Sequence, residues 1–104
     1  MKVILFLALC LYLSYFSEGR KLSRCEFVKI AQSKLNGVAG ASTADWVCLV
    51  KHESDFNTAA INHNGRSRDY GLFQINSQYW CNDGKTAGAT NGCNIDCRSK
   101  YIID

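Results

Sequence analysis

The sequence predicts a small α+β domain in which two N-terminal helices pack against a small antiparallel sheet. Three observations carry that expectation. Two apolar repeats of helical period occupy residues 22–54, each preceded by a hydroxyl residue suited to capping. An Asn64-Gly65 pair then separates two short stretches of strand character, which is the signature of a hairpin. The chain also holds six cysteines in 104 residues. A domain of this size has a marginal hydrophobic core, and disulfides are the usual staple.

The first helix is announced by Ser23 and Glu26, an S-x-x-E capping box, with Leu22 placed to staple against Phe27. Its apolar side is Phe27, Ile30, Ala31 and Leu35, and Asn36-Gly37 ends it. The small residues 38–41 read as a loop. Ser42 or Thr43 caps the second helix, which runs to about Ser54 with Asp45 in its first turn. Residues 59–75 then form a hairpin about Asn64-Gly65, and a two-residue loop there sets Asn62 opposite Ser67, on the same side of the ribbon as Asp69. Gly71 breaks the strand before Leu72-Phe73-Gln74-Ile75. Residues 82–95, rich in Gly, Asn, Ala and Thr, read as a long irregular loop, and residues 98–103 begin another apolar element.

The extreme N-terminus reads as a secretory leader. Basic Lys2, an apolar run over residues 3–13 and a small-x-small site at Ser17-Glu18-Gly19 place cleavage after Gly19, leaving residues 20–104 as the mature domain. The run is too short to span a bilayer, so no stable membrane insertion is expected. Cys10 leaves with the leader. Cys25, Cys48, Cys81, Cys93 and Cys97 remain in an oxidising compartment, and an odd number means that at least one thiol stays free or pairs outside the chain. Zinc is a poorer use of them, because Cys93 and Cys97 lack a second closely spaced ligand pair. The net charge of +3 suits approach to an anionic surface, but the basic residues are scattered and do not mark a nucleic-acid partner.

Two carboxylates carry the chemistry. Glu53 falls at i+7 from Trp46 on a helix whose i+3 and i+4 positions are Leu49 and Val50, so it points with residues expected to be buried. The plain alternative is an acid at a helix end that reaches water, with Lys51 and His52 as polar neighbours. Asp69, 16 residues later, lies in a polar setting of Asn62, Asn64, Ser67 and Arg68. An acid in an apolar place and a second in a polar one are what general-acid chemistry with a charged partner requires. Trp46 reads as core, and His52 and His63 as surface residues that hold no metal.

Taken together, Cys48-x4-Glu53-Ser54, Asp69-Tyr70-Gly71, Gln74-Ile75-Asn76-Ser77 and Trp80-Cys81-Asn82-Asp83-Gly84 closely resemble the c-type (chicken-type) lysozyme family, from about Lys21 to Cys97, with one residue missing before Asp69. The resemblance implies a secreted, antibacterial, retaining muramidase that cleaves the β-1,4 bond after N-acetylmuramic acid in bacterial peptidoglycan, and lysozyme is itself the type case of this two-carboxylate chemistry. It makes Glu53 the general acid and Asp69 the nucleophile or charge stabiliser. Tyr79 and Trp80 match cleft aromatics whose flat faces suit pyranose rings, Gln74 and Asn76 match cleft amides, and Asn76 with Asn64 would hold Asp69 by hydrogen bonds. No cofactor or metal is implied.

The family pattern pairs Cys81 with Cys97 and continues through further helices that supply three more cysteines, the other cleft wall and a tryptophan over the catalytic glutamate. Against that pattern the sequence reads as a C-terminally truncated lysozyme, a monomer whose Cys25, Cys48 and Cys93 lack their partners and could form intermolecular disulfides. Other readings stay open: a non-catalytic binding or regulatory relative like α-lactalbumin, or an inactive fragment acting as a cationic peptide on membranes. Against the α-lactalbumin form, both carboxylates are present and Ile102 stands where its calcium loop needs an aspartate.

Overall fold

The computed structural model describes residues 20–99 together with Ile4, Leu5 and Ile102. All but Ile4 and Leu5 of the leader expected at residues 1–19, and residues 100, 101 and 103 of the apolar element expected at residues 98–103, lie outside the described residues. The order is helix α1 (Arg24–Lys34), a single 3-10 turn (Val38–Gly40), helix α2 (Thr43–Ser54), and strands β1 (Ile61–Asn64), β2 (Ser67–Tyr70) and β3 (Ile75–Asn76). This is the expected α+β architecture.

Both helices start where their side chains can satisfy otherwise orphaned N–H groups. Ser23 and Glu26 form a reciprocal capping box on α1, and Ser42 and Asp45 form a second on α2. The carboxylates of Glu26 and Asp45 are held below their ordinary pKa, Glu26 first by the Arg20 guanidinium and then by the Ser23 N–H, Asp45 by the Ser42 N–H and hydroxyl. Helix α1 ends through Gly37, whose φ of 85° is left-handed, and α2 ends in left-handed Asp55.

The strands form one antiparallel sheet in the order β1-β2-β3. The turn sits one residue further along than expected: Gly65, at φ 62°, takes its first position and Arg66 its second. Asn64 therefore faces Ser67, and Asn62 faces Asp69 rather than Ser67. The glycine itself takes the left-handed position, so Asn64 closes the ladder. Because the pairing moves by two positions and not one, the same side chains stay on the same face. Asp69 in turn faces Asn76 on β3.

Two apolar clusters hold the fold. Leu22, Phe27, Ala31, Val50, Phe56 and Leu72 are buried together, with Leu35, Trp46, Val47 and Phe73 packed around them. Phe73 meets Trp46 edge-on, with ring centroids 6.0 Å apart. The second cluster is Tyr70 with the Cys81–Cys97 disulfide, flanked by Ile75, Ile95 and Ile102. The chain from residue 20 is stitched alongside the segment that follows α2, through Leu22 N–H to the Phe56 carbonyl and Thr58 N–H to the Arg20 carbonyl.

Gly71 lies at a close approach. Its φ is 79°, and a β-carbon there would stand 2.0 Å from the Ile102 carbonyl oxygen. Only hydrogen fits between the two backbones.

Candidate active site

Asp69 projects from β2 onto the sheet face that also carries Asn62, Asn64, Ser67 and Asn76, since directly opposed residues and alternate residues share a face. The Asn76 amide donates to one carboxylate oxygen of Asp69 at 2.7 Å and to the Ser67 hydroxyl at 2.9 Å. Its own oxygen accepts from the Gln78 N–H at 2.8 Å, which fixes which end of the carboxamide faces Asp69. The Asn64 amide approaches the other carboxylate oxygen at 3.5 Å, a much weaker hold. The expected pair of asparagines thus surrounds Asp69 unequally.

Glu53 departs from expectation. It is exposed, and its carboxylate makes no hydrogen bond to a described residue. The reason is the phase of the helix. The residues of α2 that turn inward are Trp46, Val47, Val50 and Ser54, with Val50 fully buried, whereas Leu49 is 41% exposed. At about 100° per residue, Glu53 lies roughly 80° from the centre of that stripe, on the flank it shares with Leu49. The apolar setting read from Trp46, Leu49 and Val50 is absent.

What Glu53 does border is a groove of about 470 Å³, lined also by Ser54, Asn57, Ile61 and Asn62. Asn62 therefore joins the two halves of the site: it borders the groove with Glu53 and stands opposite Asp69 on the sheet. Gln74 holds Asn62 in place. Its carboxamide oxygen accepts from the Asn62 amide at 2.8 Å, while its amide donates to the carbonyls of Ala60 and Gly71. Gln74 adopts a left-handed backbone, φ 52°, to do so. Its contact is with another amide of the chain, a role that its position alone did not reveal.

Tyr79 and Trp80 are 59% and 53% exposed, as ligand-stacking aromatics must be. Trp80 N–H donates to the Asn76 carbonyl, and the carbonyls of Tyr79 and Trp80 accept from Gly92 and Cys93, so the pair is fastened one turn from Asn76 and pinned to the following loop. The Cys81–Cys97 disulfide closes that loop.

Sequence reasoning missed the support beneath this wall. The buried Tyr70 hydroxyl donates to Asp83 at 2.7 Å, and Asp83 also accepts from Lys85 N–H and the Thr86 hydroxyl, each at 2.9 Å. The Thr86 hydroxyl reaches Ser77, whose oxygen accepts from Arg68 N–H on β2. Burial opposes ionisation of Asp83, yet these donors outweigh it and bring its pKa from 3.8 to about 2. Burial, then the bond to Asp83, raises that of Tyr70. Asn82-Asp83-Gly84 signals a turn in the sequence; its partner Tyr70, 13 residues away, leaves no local mark.

Among the described residues no group of three or more His, Cys, Asp or Glu side chains gathers as a metal site, and no described helix is long and apolar enough to cross a membrane.

A family model described as C-type lysozyme/alpha-lactalbumin family matches residues 20–104. The chain belongs to the c-type lysozyme family. It is 58% identical to lysozyme C-2 of Sus scrofa over its whole length, covering 70% of that protein. It is 62% identical to lysozyme C-1 of Sus scrofa over 78% of this chain and 62% of that one, and 51% identical to lysozyme C-2 of Mus musculus over 93% and 67%. Membership of the c-type lysozyme family places the chain among glycoside hydrolases, and it is shorter than these relatives.

Proposed function

We propose that this chain is a secreted lysozyme that hydrolyses the β-1,4 bond between N-acetylmuramic acid and N-acetylglucosamine in bacterial peptidoglycan. Glu53 protonates the leaving oxygen. Asp69 stabilises the developing positive charge at the anomeric carbon or attacks it, and Glu53 then takes a proton from the incoming water. The observation that carries this reading is the sheet face on which Asp69 is gripped by Asn76, together with the groove where Glu53 and Asn62 meet. Tyr79 and Trp80 offer exposed flat faces for sugar rings. Because Glu53 stands in solvent, the bound glycan itself has to cover it.

The test is turbidity clearing of a peptidoglycan suspension by the purified, oxidised chain beside its Glu53→Gln variant. Clearing by the parent alone supports the assignment. Equal clearing by both would remove Glu53 from the role of general acid and refute the assignment. The solvent exposure of Glu53 favours a second reading, a non-catalytic glycan-binding relative; it expects retention on peptidoglycan through Tyr79 and Trp80 with no clearing by either form.

A further inference from the structure

Three asparagines of the chain precede a glycine: Asn36-Gly37, Asn64-Gly65 and Asn91-Gly92. The side-chain carbonyl carbon of such an asparagine is open to attack by the next backbone nitrogen, because glycine sets no side chain in the way. The fold treats the three pairs differently. Gly37 N–H donates to the Ala41 carbonyl at 2.8 Å, and the Asn36 side-chain oxygen accepts from Thr43 N–H at 3.1 Å. Gly92 N–H donates to the Tyr79 carbonyl at 2.7 Å, and the Asn91 side-chain oxygen accepts from Ile95 N–H at 3.0 Å. At those two places both the attacking nitrogen and the carbonyl it attacks are held. At the tip of the hairpin neither is: the Gly65 N–H and the Asn64 side-chain oxygen make no hydrogen bond to a described residue, and Asn64 is exposed. Nothing lies within 4 Å of where a β-carbon on Gly65 would stand; the same is true of Gly37, so hydrogen bonding and not crowding separates these two pairs. Among the described residues the Asn64 side chain has one partner, Asp69, which its amide nitrogen approaches at 3.5 Å.

We propose that Asn64-Gly65 is a site of spontaneous deamidation whose product sets a second carboxylate against Asp69. The Gly65 nitrogen gives up its proton to a solvent base and attacks the side-chain carbonyl carbon of Asn64. The bond from that carbon to its amide nitrogen breaks, the nitrogen takes up a proton and leaves as ammonia, and a cyclic imide joins residues 64 and 65. Water then opens the ring at either carbonyl to give aspartate or isoaspartate, and no oxidant or reductant takes part. The product exchanges an amide donor for a like charge, which leaves Asn76 as the sole side-chain donor to Asp69 among the described residues. What this does to glycan hydrolysis rests on the role proposed above for Asp69; the modification and the repulsion do not. Asn36-Gly37 and Asn91-Gly92 carry the same dipeptide in the same molecule and serve as internal references.

The experiment incubates the purified, oxidised chain in mildly alkaline buffer and follows conversion of each asparagine to aspartate and isoaspartate by peptide mapping in a mass spectrometer. Asn64 is expected to convert faster than Asn36 and Asn91 by roughly tenfold, since each of those must first release its hydrogen bonds, and the lead should collapse in concentrated urea. Matched rates in the folded chain, a faster Asn36 or Asn91, or a lead that survives unfolding would each overturn the site, the last because the cause would then be local sequence and not the fold. The charge contact is read separately by urea unfolding near neutral pH. Asn64→Asp should lower the folding equilibrium constant by roughly fivefold in the parent and leave it unchanged beside Asp69→Asn. An equal loss in both backgrounds would refute the like-charge contact. The mapping uses the unaltered chain, and neither measurement reads glycan cleavage, so a failure of the muramidase assignment would leave both results standing.

Discussion

Replacing Asp83 by asparagine removes one charge from the centre of the network under the Tyr79–Trp80 segment. In the folded chain this carboxylate ionises with a pKa of about 2 against an ordinary 3.8, after burial and four donor contacts from Tyr70, Lys85 and Thr86 have been set against one another. That displacement corresponds to about 2.5 kcal/mol at most, and solvent at the rim brings the expected contribution to about 1–2 kcal/mol. The folded pKa is depressed, so the contribution is fully present above pH 4 and is lost as the pH falls through 2. Urea unfolding followed by tryptophan fluorescence at several pH values between 5 and 2 measures it. The variant should be less stable than the parent by about 1–2 kcal/mol at pH 5, with the two curves converging near pH 2. Asp55, also held at about 2 by Lys51 and then Lys21, titrates in both proteins and cancels in the difference. A gap that stays constant across this range would refute the assignment of the stabilisation to the ionised carboxylate.

Asp69→Asn should abolish glycan cleavage while leaving the unfolding midpoint nearly unchanged, because the amide oxygen can still accept from Asn76; retained cleavage in a folded variant would remove Asp69 from the mechanism. Replacing both Cys81 and Cys97 by serine opens a loop with a sequence separation of 16 and should cost about 3 kcal/mol, read from the same urea curves. Gly71→Ala forces a β-carbon against the Ile102 carbonyl at a left-handed position and should destabilise by roughly 2–3 kcal/mol, seen as a lower Tm.

The parts of the fold that could be read from sequence are those specified within a few residues. Ser23 with Glu26 and Ser42 with Asp45 mark both helix starts because a capping box is complete in four positions. The setting of Glu53 could not be read in that way. Its spacing from Trp46 is right for one face of a helix, but which part of an apolar arc turns inward is decided by what packs against it, here Phe27, Phe56, Leu72 and Phe73. The hairpin turn was legible and its register was not, since Asn64 and Gly65 can each take the first turn position on local grounds. Asp69 was legible from its polar setting, and its hold by Asn64 and Asn76 through the family resemblance, whereas the Gln74–Asn62 and Tyr70–Asp83 contacts join residues 12 and 13 apart and exist only once the sheet has formed.

Between β2 and β3 the chain serves both apolar clusters in turn: Tyr70 enters the disulfide cluster, Leu72 and Phe73 the helical one, and Ile75 returns to the first. Neither cluster can open without pulling on this short segment, so two cores that might have melted as separate units are forced into one cooperative transition. The hydrogen-bonded amide protons of Tyr70, Gly71, Gln74 and Ile75 should then exchange only through global unfolding, at a common rate, and the connection between two minor strands becomes the slowest-exchanging part of the molecule.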